Sequence, residues 1–285
     1  MAGRYPTRRQ GATYSDPEYV TRQYRDASNL NARIALHVRF STNSYGLPRW
    51  IFDNFELQER ASILEVGCGP GRLWTENLDL LPAGWNITLS DASPGMVAEA
   101  EARLGSDGPF EFRVADVQEL PFEGELFDAV VANHILYHVP DRERTFSEIT
   151  RVLKPGGTLY AATNGERTQS EMAWMQRILD PSRPTNGYYF RNLLEFSLEN
   201  GAEQLSPWFS EVTLLRYEDA LDVTEVRPLV EYLLSGSAAD AAAQELDADE
   251  FGRRVSELTE CLAKELATRG AIHISKDTGL FVARK

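Results

Sequence analysis

Residues 63–71 read Ile63-Leu64-Glu65-Val66-Gly67-Cys68-Gly69-Pro70-Gly71. A short strand, apolar apart from Glu65, runs into three glycines at alternate positions, and a helical pattern with Leu73, Trp74, Leu78 and Leu81 follows. Glycine lets the backbone turn sharply and removes the Cβ atoms that would keep a ligand off the loop. A strand, a glycine loop and a helix suit many nucleotide-binding turns, and two residues narrow the choice. Position 72 is Arg, so the third glycine of the dinucleotide fingerprint, which brings a helix N-terminus to a pyrophosphate, is missing. Glu65 places a carboxylate on the strand just before the loop, which suits a cationic amino group and repels a phosphate.

Outward from this stretch, short apolar runs alternate with helical patterns: Ile87–Leu89, Phe110–Val114, Phe127–Val131 and Thr158–Ala161. Ser93-Pro94 reads as an N-cap followed by proline in the first turn, with Gly105 closing that helix. Asp141 caps a second helix carrying Phe146, Ile149 and Leu153, which Pro155-Gly156-Gly157 terminates. Strands that are apolar throughout and separated by helices predict a parallel sheet covered on both faces. After Asn164 the alternation breaks. Residues 165–206 carry two helical patches with Met172, Trp174, Met175, Tyr188, Tyr189 and Phe196. They read as an insertion packing its own aromatics or as a cap over the sheet's C-terminal edge, where open α/β sheets bind ligands.

Glu211–Tyr217 reads as a strand. An acidic helical segment follows, whose Phe251, Val255, Leu258, Leu262 and Leu266 form a packing stripe ended by Gly270. An Asp277-Thr278-Gly279 turn then leads into a last strand, Leu280–Ala283. Ahead of the first strand, Leu30, Ile34 and Val38 recur at helical spacing, and Pro48 opens a short helix with Ile51 and Phe55. The expected division is a tail at 1–12, an N-terminal helical extension at 13–60, a cofactor-binding core at 61–164, a cap insertion at 165–206 and the rest of the core with a helical insertion at 207–285.

Composition narrows the partners. With 43 acidic against 29 basic residues the net charge is -14, a field that repels phosphate backbones and anionic lipid. A small molecule is therefore expected rather than nucleic acid or a membrane. Two cysteines, Cys68 and Cys261, with no sign of pairing suit a reducing compartment. The absence of an apolar leader or of a run near the roughly 20 residues of a membrane span points to a soluble, cytoplasmic protein.

In these blocks the chain resembles the class I S-adenosylmethionine-dependent methyltransferases, and the match in order and spacing runs from Ser62 to Asn164. Glu65, Gly67, Cys68, Gly69 and Gly71 look like the family's first motif, which the resemblance implies holds the methionine end of S-adenosyl-L-methionine. Asp91 stands where the family places an acidic residue on the ribose hydroxyls, with Ala92 and Met96 near the adenine. Asp116-Val117 looks like the adenine-reading pair, Asn133 stands where the fourth strand lines the cofactor, and Leu153–Gly157 resembles the turn before the fifth strand. The implied fold is a Rossmann-like, seven-stranded, mostly parallel sheet with an antiparallel last strand, carrying N-terminal helices and a helical cap. The pattern is most similar to small-molecule methyltransferases of bacterial metabolism.

Three histidines are candidates for catalysis. His138 and His134 follow the fourth strand, on the side where an acceptor would meet the cofactor. A side chain that titrates near 6.5 suits His138 to proton removal from a hydroxyl oxygen, with capping of the turn at Pro140 as its alternative. His134, nearer the strand end, has packing against the cofactor as its alternative. His37 shares a helix face with Leu30 and Ile34 and could enter the site as that helix closes over the cofactor. His134 and His138 are spaced like zinc ligands, but Ile135 replaces the catalytic Glu of that motif and no third ligand is evident, so no metal is expected. Transfer to nitrogen or carbon, a nucleotide-linked oxidoreductase, and a cofactor-binding subunit without chemistry stay open as alternatives. Oligomeric state is not legible.

Overall fold

The computed structural model describes residues 28–105, 108–181 and 195–285. Its strands are β1 (Arg60–Val66), β2 (Gly84–Asp91), β3 (Phe110–Val114), β4 (Phe127–Asn133), β5 (Leu153–Asn164), β6 (Glu211–Val223) and β7 (Ile272–Arg284). They form one sheet in the order β3-β2-β1-β4-β5-β7-β6. All neighbours are parallel except β7, which lies antiparallel between β5 and β6. This is the expected Rossmann-like sheet with its antiparallel last strand.

Successive side chains of a strand face opposite sides, and here both sides are covered. On one face Leu64, Val130, Leu159 and Phe281 pack with Phe146 and Ile149 of α5 (Arg142–Val152). On the other, Ile63, Ile87, Val131 and Tyr160 pack with Trp74, Trp85 and Ile51. The connecting helices start where the sequence says. Ser93 Oγ accepts from Met96 N at the head of α4 (Pro94–Leu104), and Asp141 accepts from Arg144 N at the head of α5.

Three local expectations are corrected. The helix after the glycine loop, α3, spans only Arg72–Thr75, with a 3-10 turn at Leu78–Leu80. Asn77 Nδ2 captures the Leu73 carbonyl at 2.7 Å and the Pro48 carbonyl at 3.2 Å, competing with the helical ladder. Lys154–Gly157 is not a separate turn but the irregular opening of β5, with Gly156 at φ +74° and a register shift against β4. Asp277-Thr278-Gly279 lies in the middle of β7. A Cβ on Gly279 would sit 2.6 Å from the Leu215 carbonyl, so this glycine serves close strand packing.

β6 and β7 are both longer than their apolar segments suggested. β5 stops pairing at Asn164↔Thr278, while β6 and β7 continue to Val223↔Ile272. The excess projects past the C-terminal edge of the sheet as a two-stranded ribbon. A lone ribbon is marginal in water, and this one is buttressed by helices. Leu221, Val223, Ile272 and Ile274 share a third hydrophobic core with Leu36 and Phe40 of α1 (Ser28–Phe40), and with Met175 and Leu179 of α6 (Ala173–Leu179). Leu229 and Leu233 of α8 (Val226–Leu234) and Leu258 and Leu262 of α10 (Ala248–Arg269) complete it.

The N-terminal helices therefore divide. α1 belongs to this cap, while Ile51 of α2 (Leu47–Asp53) packs on the sheet. The 165–206 segment divides too, because Phe196 and Leu205 of α7 (Gly201–Leu205) join the sheet core. Another short helix, α9 (Ser237–Glu245), precedes α10. The proposed tail, Tyr188 and Tyr189 lie outside the described residues. Among those residues no helix is long and apolar enough to cross a membrane.

Leu258 is fully buried in the cap core. Leu258→Ala is expected to cost about 2–5 kcal/mol by urea unfolding, the usual cost of such a cavity. A loss below about 0.5 kcal/mol would show that the cap core does not carry stability.

Candidate active site

Between the C-terminal edge of the sheet and the cap lies a cavity of about 1240 Å³. The glycine loop forms one end. Gly67 has φ +65°, and a Cβ there would fall 2.3 Å from Ile135 Cδ1, so no other residue fits without displacing the β4 loop. Asp91 ties β2 to this loop, its Oδ2 accepting from Gly69 N at 3.0 Å and its Oδ1 from Ser93 N at 2.8 Å. Burial raises the Asp91 carboxyl above its ordinary range. Ala92, Met96, Asp116, Val117 and Asn133 also line this end. Asp116 is exposed at the lip, with both oxygens accepting from Gln118 Nε2 at 3.1 Å, while Met96 and Val117 are buried apolar wall.

Three residues of the first motif are not on the cavity wall. Cys68 turns into the sheet core, where burial pushes its thiol up. Gly71 meets α4 instead, with Leu104 Cδ1 2.9 Å from where its Cβ would be. Glu65 lies behind the loop. Trp74 Nε1 donates to its Oε2 at 2.6 Å and Asn133 Nδ2 to its Oε1 at 3.2 Å. With its amide nitrogen held there, Asn133 keeps a buried Oδ1 with no partner. Glu65 thus acts on the cavity through Asn133. Burial pushes its carboxyl up to about 8.

The cap end carries the histidines. His134 adopts φ +56° at the end of β4, a left-handed backbone costly for a non-glycine, and its N–H donates to the Ala162 carbonyl at 2.9 Å. His37 projects from α1, with its ring edge on Tyr232 at 5.9 Å. Tyr232 Oη donates to Gln169 Oε1 at 2.7 Å, and Gln169 Nε2 stands 3.5 Å from His37 Nε2. The Nδ1 atoms of His37 and His134 are buried without a partner. Burial foremost, then the charges of Lys276 and Arg72, lowers His37 to about 3 and His134 to about 4, so both rings are neutral near pH 7. His138 sits on the 3-10 turn Leu136–His138 beside the Tyr137 ring, at 4.5 Å. All three histidines line the cavity, and Leu30, Ile34 and Val38 of α1 close over it.

Sequence reading missed one charged pair. Lys276 of β7 binds Asp219 of β6 directly opposite it on the ribbon, and both line the cavity. Asp219 Oδ1 also accepts from Ser41 Oγ (2.7 Å), Ala220 N (2.8 Å) and Asn43 N (3.1 Å), fastening the end of α1 to the ribbon. The signal was there. Leu221 and Val223, and likewise Ile272 and Ile274, alternate at period two, which extends both strands beyond their apolar runs.

A methyltransferase-domain profile matches residues 64–161. Over these residues the chain is similar to class I S-adenosylmethionine-dependent methyltransferases. The demethylmenaquinone methyltransferase of Clavibacter sepedonicus is 36% identical over 97 residues, 34% of this chain and 38% of that protein. The malonyl-[acyl-carrier protein] O-methyltransferase of Enterobacter lignolyticus is 29% identical over 141 residues, 48% of this chain and 53% of that protein. The chain thus spans about half or less of the length of these relatives. Two solved structures share the fold at a TM-score of 0.57. The [4+2]-cyclase SpnF is 22% identical and covers 96% of this chain and 97% of its own. Phosphoethanolamine N-methyltransferase 2 of Haemonchus contortus, solved with S-adenosyl-L-methionine, is 18% identical and covers 96% of this chain and 60% of its own.

The residues present fit the family's cofactor. An orphaned acceptor on Asn133 suited to an ammonium and Asp91 at the end of β2 suited to hydroxyls stand along one wall with Gly67 and Gly69.

Glu65 supplies a pH test. Its carboxyl titrates near 4.5 in water and at about 8 in the fold, so the folded protein holds this proton more tightly than the unfolded chain. Its contribution to stability is therefore complete below about 4.5 and is lost as pH climbs toward 8. Glu65→Gln lacks this loss. In thermal unfolding of the ligand-free protein, the melting temperature of the variant relative to wild type should rise by at least about 2 °C between pH 5 and pH 8. A constant difference would refute the protonated state.

Proposed function

We propose that this protein is a cytoplasmic enzyme that methylates a hydroxyl or other oxygen of a small molecule in bacterial metabolism. One observation carries the reading. The cavity, at about 1240 Å³, exceeds the roughly 300–1,000 Å³ of a single-ligand pocket. It is fitted differently at its two ends, with glycines and carboxylates at one and histidines, of which His37 and His134 are held neutral by burial, at the other. S-adenosylmethionine, bound at the first end, would supply an electrophilic methyl group; the acceptor's lone pair forms the new bond while the carbon–sulfur pair returns to sulfur.

The chain's own part is to bind, align and exclude water. Holding two reactants in line can supply an effective concentration of about 10⁵ M or more. Gly67, Gly69, Asp91, Ala92, Met96, Asp116, Val117 and Asn133 are assigned to the cofactor, with Glu65, Cys68 and Gly71 supporting the loop from behind. His134, His37 and His138 are assigned to the acceptor oxygen, because a neutral imidazole can accept from a hydroxyl or donate to an oxyanion. Residues 61–164 serve as the cofactor core, covered by parts of 13–60, 165–206 and 207–285. A net charge of -14 favours a small acceptor over nucleic acid, and the free cysteines agree with a cytoplasmic setting.

Calorimetry should show micromolar binding of S-adenosylmethionine and no comparable binding of NAD. Asp91→Ala should weaken the former by about 1–3 kcal/mol. Release of S-adenosylhomocysteine is expected with oxygen acceptors. Unchanged affinity in the variant would remove Asp91 from the site. Tight binding with no methyl release to any acceptor class would overturn the enzymatic reading.

A further inference from the structure

The polar groups at the cap end of the cavity are unequally satisfied. Lys276 is 9% exposed and faces the cavity, with the Tyr217 ring 5.9 Å from its Nζ. The bond to Asp219 engages one of its three N–H groups. Asp219 is 1% exposed and already accepts from Lys276, Ser41, Asn43 and Ala220, so it has no place for a cationic substrate. The remaining carboxylates on the described wall are committed elsewhere. Glu76 pairs with Arg72, and Asp91 and Asp116 stand at the cofactor end.

We propose that the acceptor is an oxygen acid: a small molecule whose carboxylate, or ionised phenol or enol oxygen, docks on Lys276 Nζ, with Asp219 as the positioning residue for that ammonium. The proposal rests on the methyltransferase reading and names the chemistry of its acceptor.

Several observations converge on it. A buried ion pair costs about as much in desolvation as it returns, and a hydrophobic pair would hold two strands at least as well. A lysine aimed at the cavity therefore needs a use beyond pairing β6 with β7. The buried Nδ1 atoms of His37 and His134 lack partners and can serve as N–H donors to the same oxyanion. An acceptor that arrives ionised also has no proton for a base to remove. That matches histidines whose surroundings, Lys276 included, oppose protonation. The apolar wall of Leu30, Ile34 and Val139 then receives the body of the molecule.

The test uses full-length protein saturated with S-adenosylhomocysteine and four probes of one size: benzoate, 4-nitrophenolate, benzamide and benzylamine. Calorimetry should show the two anions binding at least about tenfold more tightly than benzamide, and benzylamine most weakly. Whichever anion wins identifies the acid as carboxylic or phenolic. Lys276→Arg should keep the preference. Lys276→Met combined with Asp219→Asn leaves no buried charge alone and should abolish it, while S-adenosylhomocysteine affinity is retained. Benzylamine binding as well as benzoate, no anion binding up to millimolar concentration, or an anion preference that survives in the double variant would each overturn the proposal. Failure to bind S-adenosylhomocysteine would instead overturn the methyltransferase reading itself.

Discussion

The cavity exists because β6 and β7 are longer than the strand beside them. Beyond Asn164 of β5 their only strand partners among the described residues are each other, so the ribbon must be covered from its sides. Leu221, Val223, Ile272 and Ile274 recruit α1, α6, α8 and α10 to do so. The cap is therefore a second hydrophobic body anchored on an extension of the sheet, and the space left between the two bodies is the site. Hydrophobic burial that stabilises the ribbon also fixes the roof over the glycine loop.

Charge within the site is arranged by burial more than by pairing. At the glycine-loop end, burial pushes the Glu65 carboxyl up to about 8, against the lowering effect of its hydrogen bonds from Trp74 and Asn133. At the cap end, Asp219 is met by a lysine, a hydroxyl and two backbone N–H groups, which outweigh its burial and hold its carboxyl below the ordinary range. Removing one partner from such a pair leaves an uncompensated buried charge, which is far costlier than losing both. The two ends thus differ in polarity without differing in depth.

The sheet was legible because its signals are local. The strand and glycines of 63–71 lie in one window, as do the caps at Ser93 and Asp141, and local geometry enforces each of them. The cap was not, because Leu36, Met175, Leu229 and Leu258 meet only after the chain has folded and no window contains two of them. Asp277-Thr278-Gly279 misled for a physical reason. Turn-forming residues also occur where a strand needs a close approach, and Gly279 is set by the neighbouring Leu215 carbonyl. His37, His134 and His138 were visible as residue types. Lys276 stood just before an apparent turn, and its partner Asp219 lay just past the expected end of a strand at Tyr217.

The place of β7 between β5 and β6 bears on how the molecule assembles. β6 has no other sheet neighbour among the described residues, so after synthesis it waits for the segment beginning at Ile272 before its backbone is paired. The bridge of Ser41 to Leu221 and the cap contacts of α1 wait with it, joining parts of the chain some 180 residues apart. Non-local pairings of this kind form slowly. The parallel part of the sheet can collapse early on its own strands, whereas closure of the cavity requires the strand that carries Lys276.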